Sequence, residues 1–237
     1  MRMFGRSICI SQYCDMKRLF LFAVCFLPAV SFAQGAGGQL GWFPNGSVGH
    51  TLNEDWSVST FGFLMASKAK PHMLLAYAET NVTRKLNSRW SSTASYTREK
   101  LRPGSNNVRH EHRGWVQLQA VLPGGSEGVR WGHRVRWDQR YLSSETPGPW
   151  LVRPRLRYQV SRMAELDGGW SARLDAEAFL EMHGAGSSRF VEAWSSAGMR
   201  KRLGAGAAVE VGVQHIAWRD GVWTHYILLS TGIHVNI

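Results

Sequence analysis

The segment Val129–Arg162 limits the possible folds most, because charged and apolar residues alternate along it in two successive stretches. The polar positions are Arg130, Arg134, Arg136, Asp138 and Arg140 in the first stretch, and Arg153, Arg155, Arg157 and Gln159 in the second. A period of two predicts β-strands with every guanidinium on one face and the apolar and aromatic side chains on the other. No helical pattern follows that could cover the apolar face. The pattern therefore predicts a closed barrel, apolar outside and charged within.

The same alternation recurs along the rest of the chain. From Trp56 onward ten segments of ten or more residues alternate in this way, and about 9–11 residues of tilted strand cross a bilayer. Gln39–Leu52 contains Pro44-Asn45-Gly46, a turn signal, and is either one bent strand or a short hairpin. We predict an all-β fold, a transmembrane up-and-down antiparallel β-barrel of 10–12 strands with a charged lumen, and favour twelve.

The connections and the tryptophans support the same arrangement. Short connections alternate with longer ones, as periplasmic turns alternate with external loops in outer-membrane barrels. Tryptophans adjoin both sets and predict two belts at the membrane interfaces: Trp56, Trp90 and Trp170 after the short turns, and Trp150, Trp218 and Trp223 beside the longer connections.

The N-terminal segment predicts export. Residues 16–33 have a positive start, an apolar stretch and the small-x-small sequence Ser31-Phe32-Ala33, as a signal peptide has, which places residues 1–15 in an over-long start. Residues 34–237 then form one barrel domain without cysteine, since Cys9, Cys14 and Cys25 are removed. This domain keeps 24 Lys and Arg against 16 Asp and Glu. Export and the spread of arginine along strands argue against nucleic acid as the partner, and we expect the outer membrane of a Gram-negative bacterium.

The order of several motifs resembles a bacterial family of outer-membrane barrels, domain of unknown function 2490. The motifs are Arg109-His110-Glu111-His112-Arg113, Arg134-Val135-Arg136-Trp137-Asp138-Gln139-Arg140, Arg153-Pro154-Arg155-Leu156-Arg157-Tyr158-Gln159 and the acidic strand around Glu177. The resemblance covers Val108–Ile237 and extends more loosely back to Trp42. It implies a barrel and no activity. The chain departs from the family near Trp194, where arginine is usual, and at Asp138, where glutamate is commoner, and these departures could break one lumen ion pair.

The charged face gives the candidate functional residues. They are Arg109, Glu111, Arg113, Arg130, Arg134, Arg136, Asp138, Arg140, Arg153, Arg155, Arg157, Arg173, Asp175, Glu177, Glu181, Glu192 and Glu210. Arginine forks that bind carboxylates across a narrow lumen would plug it, which makes the barrel structural. Alternatively, the arginines attract small anionic solutes to a channel. Antiparallel pairing of Leu151–Arg162 with Trp170–Met182 would set Arg153, Arg155 and Arg157 against Glu181, Glu177 and Asp175.

Enzymatic activity is the alternative, and we expect none. A lipid-modifying hydrolase or deacylase needs a nucleophile and base at the barrel rim, and the candidates are Ser105, Asn106, Asn107, His110 and His112. The remaining histidines are scattered, so we expect neither metal nor cofactor. The expected partners are the lipid bilayer with its lipopolysaccharide and a small anionic solute. The sequence leaves the oligomeric state open.

Overall fold

Eleven β-strands make up nearly all of the described chain. The computed structural model describes residues 39–67, 74–102, 108–143, 149–182, 188–220 and 222–237. The strands are β1 Gln39–Thr51, β2 Trp56–Ser67, β3 Leu74–Lys85, β4 Trp90–Arg102, β5 Arg109–Pro123, β6 Val129–Leu142, β7 Leu151–Glu165, β8 Trp170–Met182, β9 Ser188–Arg202, β10 Ala207–Asp220 and β11 Val222–Asn236. The helical structure described is one short 3-10 turn, Asp167–Gly169. Within the described ranges no helix is long and apolar enough to cross a membrane.

The strands form one closed barrel in sequence order. Each strand pairs antiparallel with the next, and β1 closes the barrel by pairing parallel with β11, from Gln39 beside Tyr226 to Gly49 beside Asn236. The eleven described strands lie within the expected ten to twelve but are one fewer than the twelve we favoured.

The difference arises at Pro44, because Gln39–Thr51 is one strand and not a hairpin. Pairing with β2 is interrupted at Phe43 and Pro44 and resumes in the same register at Asn45. Proline fixes a φ that an extended strand tolerates and only removes one backbone donor. The Pro-Asn-Gly sequence therefore weakens the ladder locally without turning the chain.

The connections after β1, β3, β5, β7 and β9 are short and lie at one end of the barrel, which we call the short-turn end; the other end carries longer connections, except that β10 and β11 are one residue apart. The turns after β1 and β3 are alike: the Asn53 and Asn87 side-chain carbonyls each accept two backbone N–H groups, at 2.9–3.0 Å. The turn after β7 uses Gly168 and Gly169, whose φ angles of 66° and 77° favour glycine. The connections after β2, β4 and β8 lie at the other end, and residues 68–73, 103–107 and 183–187 within them fall outside the described ranges.

The outer face of the barrel is apolar through its middle. Val116, Leu118 and Leu229 are 57%, 43% and 51% exposed, and Leu156, Val160 and Leu174 share that face, as predicted. At the short-turn end each of three outward tryptophans has a cation over its ring from the neighbouring strand. These pairs are Trp56 with Arg84, Trp131 with Arg162, and Trp170 with Lys201, at 5.2–5.7 Å.

The predicted tryptophan belts are wrong for one residue, Trp218. Trp218 lines the lumen, because it shares the inner face of β10 with Gln214 and Ile216. It therefore does not belong to the outer belt, whereas Trp150 and Trp223 are 47% and 39% exposed.

The inner face has two sectors of different chemistry. Strands β5 to β9 carry arginines and carboxylates on this face, eight of which are buried. The remaining wall carries a cluster of apolar side chains that pack inside the barrel: Phe43, Phe63, Met65, Ile216, Tyr226 and Leu228. We call the first the charged sector and the second the apolar wall.

Candidate functional site: the barrel lumen

Asp138 lies at the centre of the charged sector and is fully buried. Arg155, directly opposite on β7, donates to Asp138 Oδ2 from Nε at 3.0 Å and from Nη2 at 2.8 Å. Arg157 Nη1 lies 3.7 Å from the same oxygen, and Arg155 Nη1 reaches Glu192 at 3.2 Å. Asp138 therefore makes its ion pairs through Oδ2, while its buried Oδ1 has no hydrogen-bond partner in the described part of the chain.

Glu111 joins two arginines towards the end of the lumen with the longer connections. Arg140 binds both of its carboxylate oxygens, each at 2.8 Å, and Arg113 donates to Oε1 from Nε at 2.8 Å. Arg113 also reaches Glu99 at 3.2 Å, and Arg140 reaches Glu181 at 3.4 Å. Bidentate pairs of this kind fix the orientation of both side chains.

Glu177 binds two further arginines, nearer the short-turn end than Asp138. Arg157 binds both of its carboxylate oxygens at 2.8 and 2.9 Å, and Arg134 donates to Oε1 at 2.7 Å. The ring of Phe179, which is fully buried, lies beneath Arg155 and Arg157 at 4.8 and 4.4 Å. An aromatic face below two guanidinium groups stabilises their charge where water is excluded.

All seventeen candidate residues lie on the inner face, but one of them lies outside the main cavity and the predicted β7–β8 pairing is wrong. Arg130 is half-exposed at the short-turn end and lies outside the main cavity. It pairs there with Glu165, with a distance of 2.5 Å between Nη2 and Oε1. The β7–β8 register is also shifted: Arg155 lies opposite Glu181 and Arg157 opposite Phe179. The predicted Arg153–Glu181 contact is present at 3.5 Å, whereas Arg157 pairs with Glu177. Long arginine side chains reach diagonal neighbours, so contacts do not follow directly from register.

Arg136 differs from the other central arginines in what surrounds it. It is 5% exposed, and its Nε and Nη2 donate to the Gln117 side-chain carbonyl at 3.1 and 3.0 Å. Its guanidinium lies 3.6 Å from the centre of the Trp115 ring. A carboxylate oxygen of Glu79 lies 4.0 Å from Arg136 Nη1. Arg136 is therefore held mainly by a neutral amide and a ring.

The apolar wall meets the charged sector at Tyr77. Three rings stack on one another there: Phe43 on Phe63, with ring centres 4.3 Å apart, and Phe63 on Tyr77, with ring centres 4.5 Å apart. The Tyr77 hydroxyl donates to Glu79, the carboxylate beside Arg136. Sequence alternation did not identify this wall, because around Phe63 in β2 and Leu228 in β11 the neighbouring outward residues are also apolar.

A cavity of about 660 Å³ remains between the two sectors. Among the described residues, twelve arginines and eight carboxylates line it, and Asp138 lies behind them. The lining therefore keeps an excess of positive charge after its ion pairs are counted. Glu79 and Glu99, which the list of candidates missed, face inward with the predicted residues and could have been found from the alternation of β3 and β4.

A polar cluster that the sequence did not predict lies on the outer face at β9, β10 and β11. His215 and His225 stack with their ring centres 5.3 Å apart, and Nε2 of His215 lies 3.0 Å from Nδ1 of His225. The Ser195 hydroxyl lies 3.5 Å from His215 Nδ1. These histidines are thus not scattered as expected. Within the described ranges no group of three or more metal-binding side chains is found.

Two of the five rim candidates, His110 and His112, lie in the described part of the chain. Ser105, Asn106 and Asn107 lie outside the described residues. His112 is on the outer face, hydrogen-bonded to the Tyr96 hydroxyl and packed edge-on against Trp150. His110 lies at the mouth of the cavity. These contacts resemble the aromatic girdle of a membrane interface more than a nucleophile with its base.

Residues 45–220 match the model of a family described as "Protein of unknown function (DUF2490)". The chain belongs to this family. No curated protein matches it. A solved structure described as "NanC porin structure in rhombohedral crystal form" is similar at a TM-score of 0.48 and 13% identity, over 76% of this chain and 81% of that chain. The DUF2490 family supplies no activity, so any function has to be argued from the lumen.

Proposed function

We propose that this DUF2490 barrel is an outer-membrane channel for small anionic solutes. One observation carries the proposal: the cavity of about 660 Å³ is lined by more arginines than carboxylates. Low-dielectric walls that carry one sign of charge raise the local concentration of the opposite ion. The lumen should therefore attract anions and disfavour cations.

The outer surface supports the location. The apolar middle band, with the Trp56–Arg84, Trp131–Arg162 and Trp170–Lys201 pairs at one end, fits a bilayer and its interface. At the opposite end β4 presents three exposed outward cations in alternate positions, Arg98, Lys100 and Arg102. These would face the phosphates of lipopolysaccharide in the outer leaflet.

The channel is tested in planar bilayers with refolded residues 34–237. In a KCl gradient the reversal potential should have the sign of chloride preference. Arg153→Glu, which changes a cation 45% exposed at the lumen, should reduce that preference. Arg130→Glu, away from the cavity, should change it less. Absence of conductance would contradict the channel and favour a structural barrel plugged by its ion pairs.

A second function, lipid hydrolysis, is favoured by one observation, the Ser195–His215–His225 cluster on the outer face. Polar residues facing lipid are costly, and a serine within reach of a histidine that a second group orients fits acyl transfer. Purified protein should then release fatty acid from phospholipid or lipopolysaccharide, and Ser195→Ala should abolish the release. Equal activity of the Ser195→Ala variant would contradict this function.

A further inference from the structure

We infer that the lumen cavity binds a small amphipathic organic anion, whose carboxylate or sulfonate contacts Arg136. Its apolar body lies on the rings of Phe61 and Tyr77, which pack against the apolar wall. The inference rests on the proposed function and narrows it, since a pore for inorganic anions needs only the charge. Two independent features of the lumen carry it: the surroundings of Arg136 and the position of the apolar wall.

The charged end follows from how Arg136 is paired. Arg113 and Arg157 each have a carboxylate oxygen within 2.8 Å, whereas the carboxylate near Arg136 is 4.0 Å away. A buried charge is costly unless a counter-charge lies close to it. Next to it on the same face, Arg134 leaves its Nε without a hydrogen-bond partner in the described part of the chain. An anion entering the cavity would supply a close counter-charge to Arg136 and a hydrogen-bond acceptor to Arg134 Nε.

The apolar end follows from what lies next to Arg136. Glu79 connects Arg136 to the aromatic side chains, because it lies close to Arg136 and accepts a hydrogen bond from the Tyr77 hydroxyl. Tyr77 is stacked on Phe63, and Phe61 packs edge-on to Tyr77 with ring centres 6.2 Å apart. Phe61 and Leu75 are only partly buried and line the cavity. An apolar body lying there would remove both from water.

The size of the cavity fits such a ligand. Sites for small organic molecules have volumes of roughly 300–1,000 Å³ and combine an apolar lining with a few polar groups that set orientation. A cavity of about 660 Å³ with one aromatic wall and one arginine wall has this composition. A simple ion would leave the aromatic wall unused.

Binding is tested with the whole barrel in nanodiscs by equilibrium dialysis against three probes. The probe 2-naphthoate has the ring and the charge, 2-naphthylmethanol has the ring alone, and acetate has the charge alone. Empty nanodiscs correct for partition into lipid. Naphthoate should bind saturably and at least about tenfold more tightly than either other probe, because only it uses both walls. Absence of saturable naphthoate binding, or equal affinity for acetate, would overturn the inference.

Variants locate the site. Arg136→Gln should weaken naphthoate binding about tenfold or more, with partial recovery in Arg136→Lys, and Phe61→Ser should weaken naphthoate but not acetate. Arg130→Gln is the matched control, an arginine of the same strand away from the cavity, and should bind as the unmodified protein does. A heat-dependent shift in gel migration checks that each variant is folded.

Naphthoate binding that survives both Arg136→Gln and Phe61→Ser would overturn the site. Chloride conductance measured on the same preparation separates the two proposals. Conductance without naphthoate binding overturns this inference alone, whereas binding without conductance overturns the channel and leaves the binding site standing.

Discussion

The bidentate pair of Arg157 and Glu177 should be a major source of stability in the lumen. Their side chains are 7% and 4% exposed, and two hydrogen bonds of 2.8 and 2.9 Å join them. Removing one partner of a buried pair leaves an uncompensated charge, at a cost of about 3–5 kcal/mol. Glu177→Ala should therefore lower the free energy of unfolding by that amount. The substitution removes a carboxylate partner of both Arg157 and Arg134.

A double-mutant cycle separates the pair from its surroundings. Arg157→Ala combined with Glu177→Ala should cost less than the sum of the single changes, by about 1–3 kcal/mol. Urea unfolding in lipid vesicles, followed by tryptophan fluorescence, measures each term. Arg130 and Glu165 form the control cycle: they are 49% and 39% exposed, so their coupling should stay below about 1 kcal/mol. Additive losses at Arg157 and Glu177, or equal coupling in the two cycles, would refute the argument.

Three further predictions concern the outer face of the barrel, a turn and the cellular location of the protein. Leu118→Arg and Leu156→Arg should each lower the free energy of unfolding by about 2–4 kcal/mol if these positions lie near the bilayer midplane, while Leu203→Arg in a turn should be neutral; neutrality at both outer positions would reverse the faces. Gly169→Ala should cost about 1–2 kcal/mol, because its φ is 77°, and Gly204→Ala, where a Cβ meets nothing within 4 Å, should cost much less. Cell fractionation followed by N-terminal sequencing should find a chain beginning at Gln34 in the outer membrane, with heat-dependent gel migration, and a soluble periplasmic product would contradict this.

The barrel and its faces could be predicted from the sequence because the charged strands alternate without ambiguity. In β6 and β7 a side chain of the wrong chemistry on either face would be costly, so one assignment is strongly preferred. The expectation of a hairpin at Pro44 failed for a different reason. Turn residues favour a turn only when the flanking strands gain by pairing with each other, and here β1 pairs with β2 and β11 instead.

The apolar wall and the details of the ion pairing could not be predicted. In β2 and β11 the inward Phe63 and Leu228 alternate with outward residues that are also apolar, such as Leu64 and Leu229. A period of two carries no information where both faces are alike. The partners of each arginine depend on the register set by the turn at Gly168 and on the reach of the side chain, and the sequence specifies neither directly.

We propose a barrel whose outer face meets lipid while its charged face encloses the lumen. Residues 34–237 contain no cysteine, so single cysteines introduced from position 114 to 119 of β5 can carry a spin label in lipid vesicles. Oxygen, which concentrates in lipid, should relax labels at positions 114, 116 and 118 more than labels at 115, 117 and 119. A polar nickel reagent should show no preference for the even positions. Oxygen accessibility that peaks at the odd positions, or that does not alternate, would contradict the account.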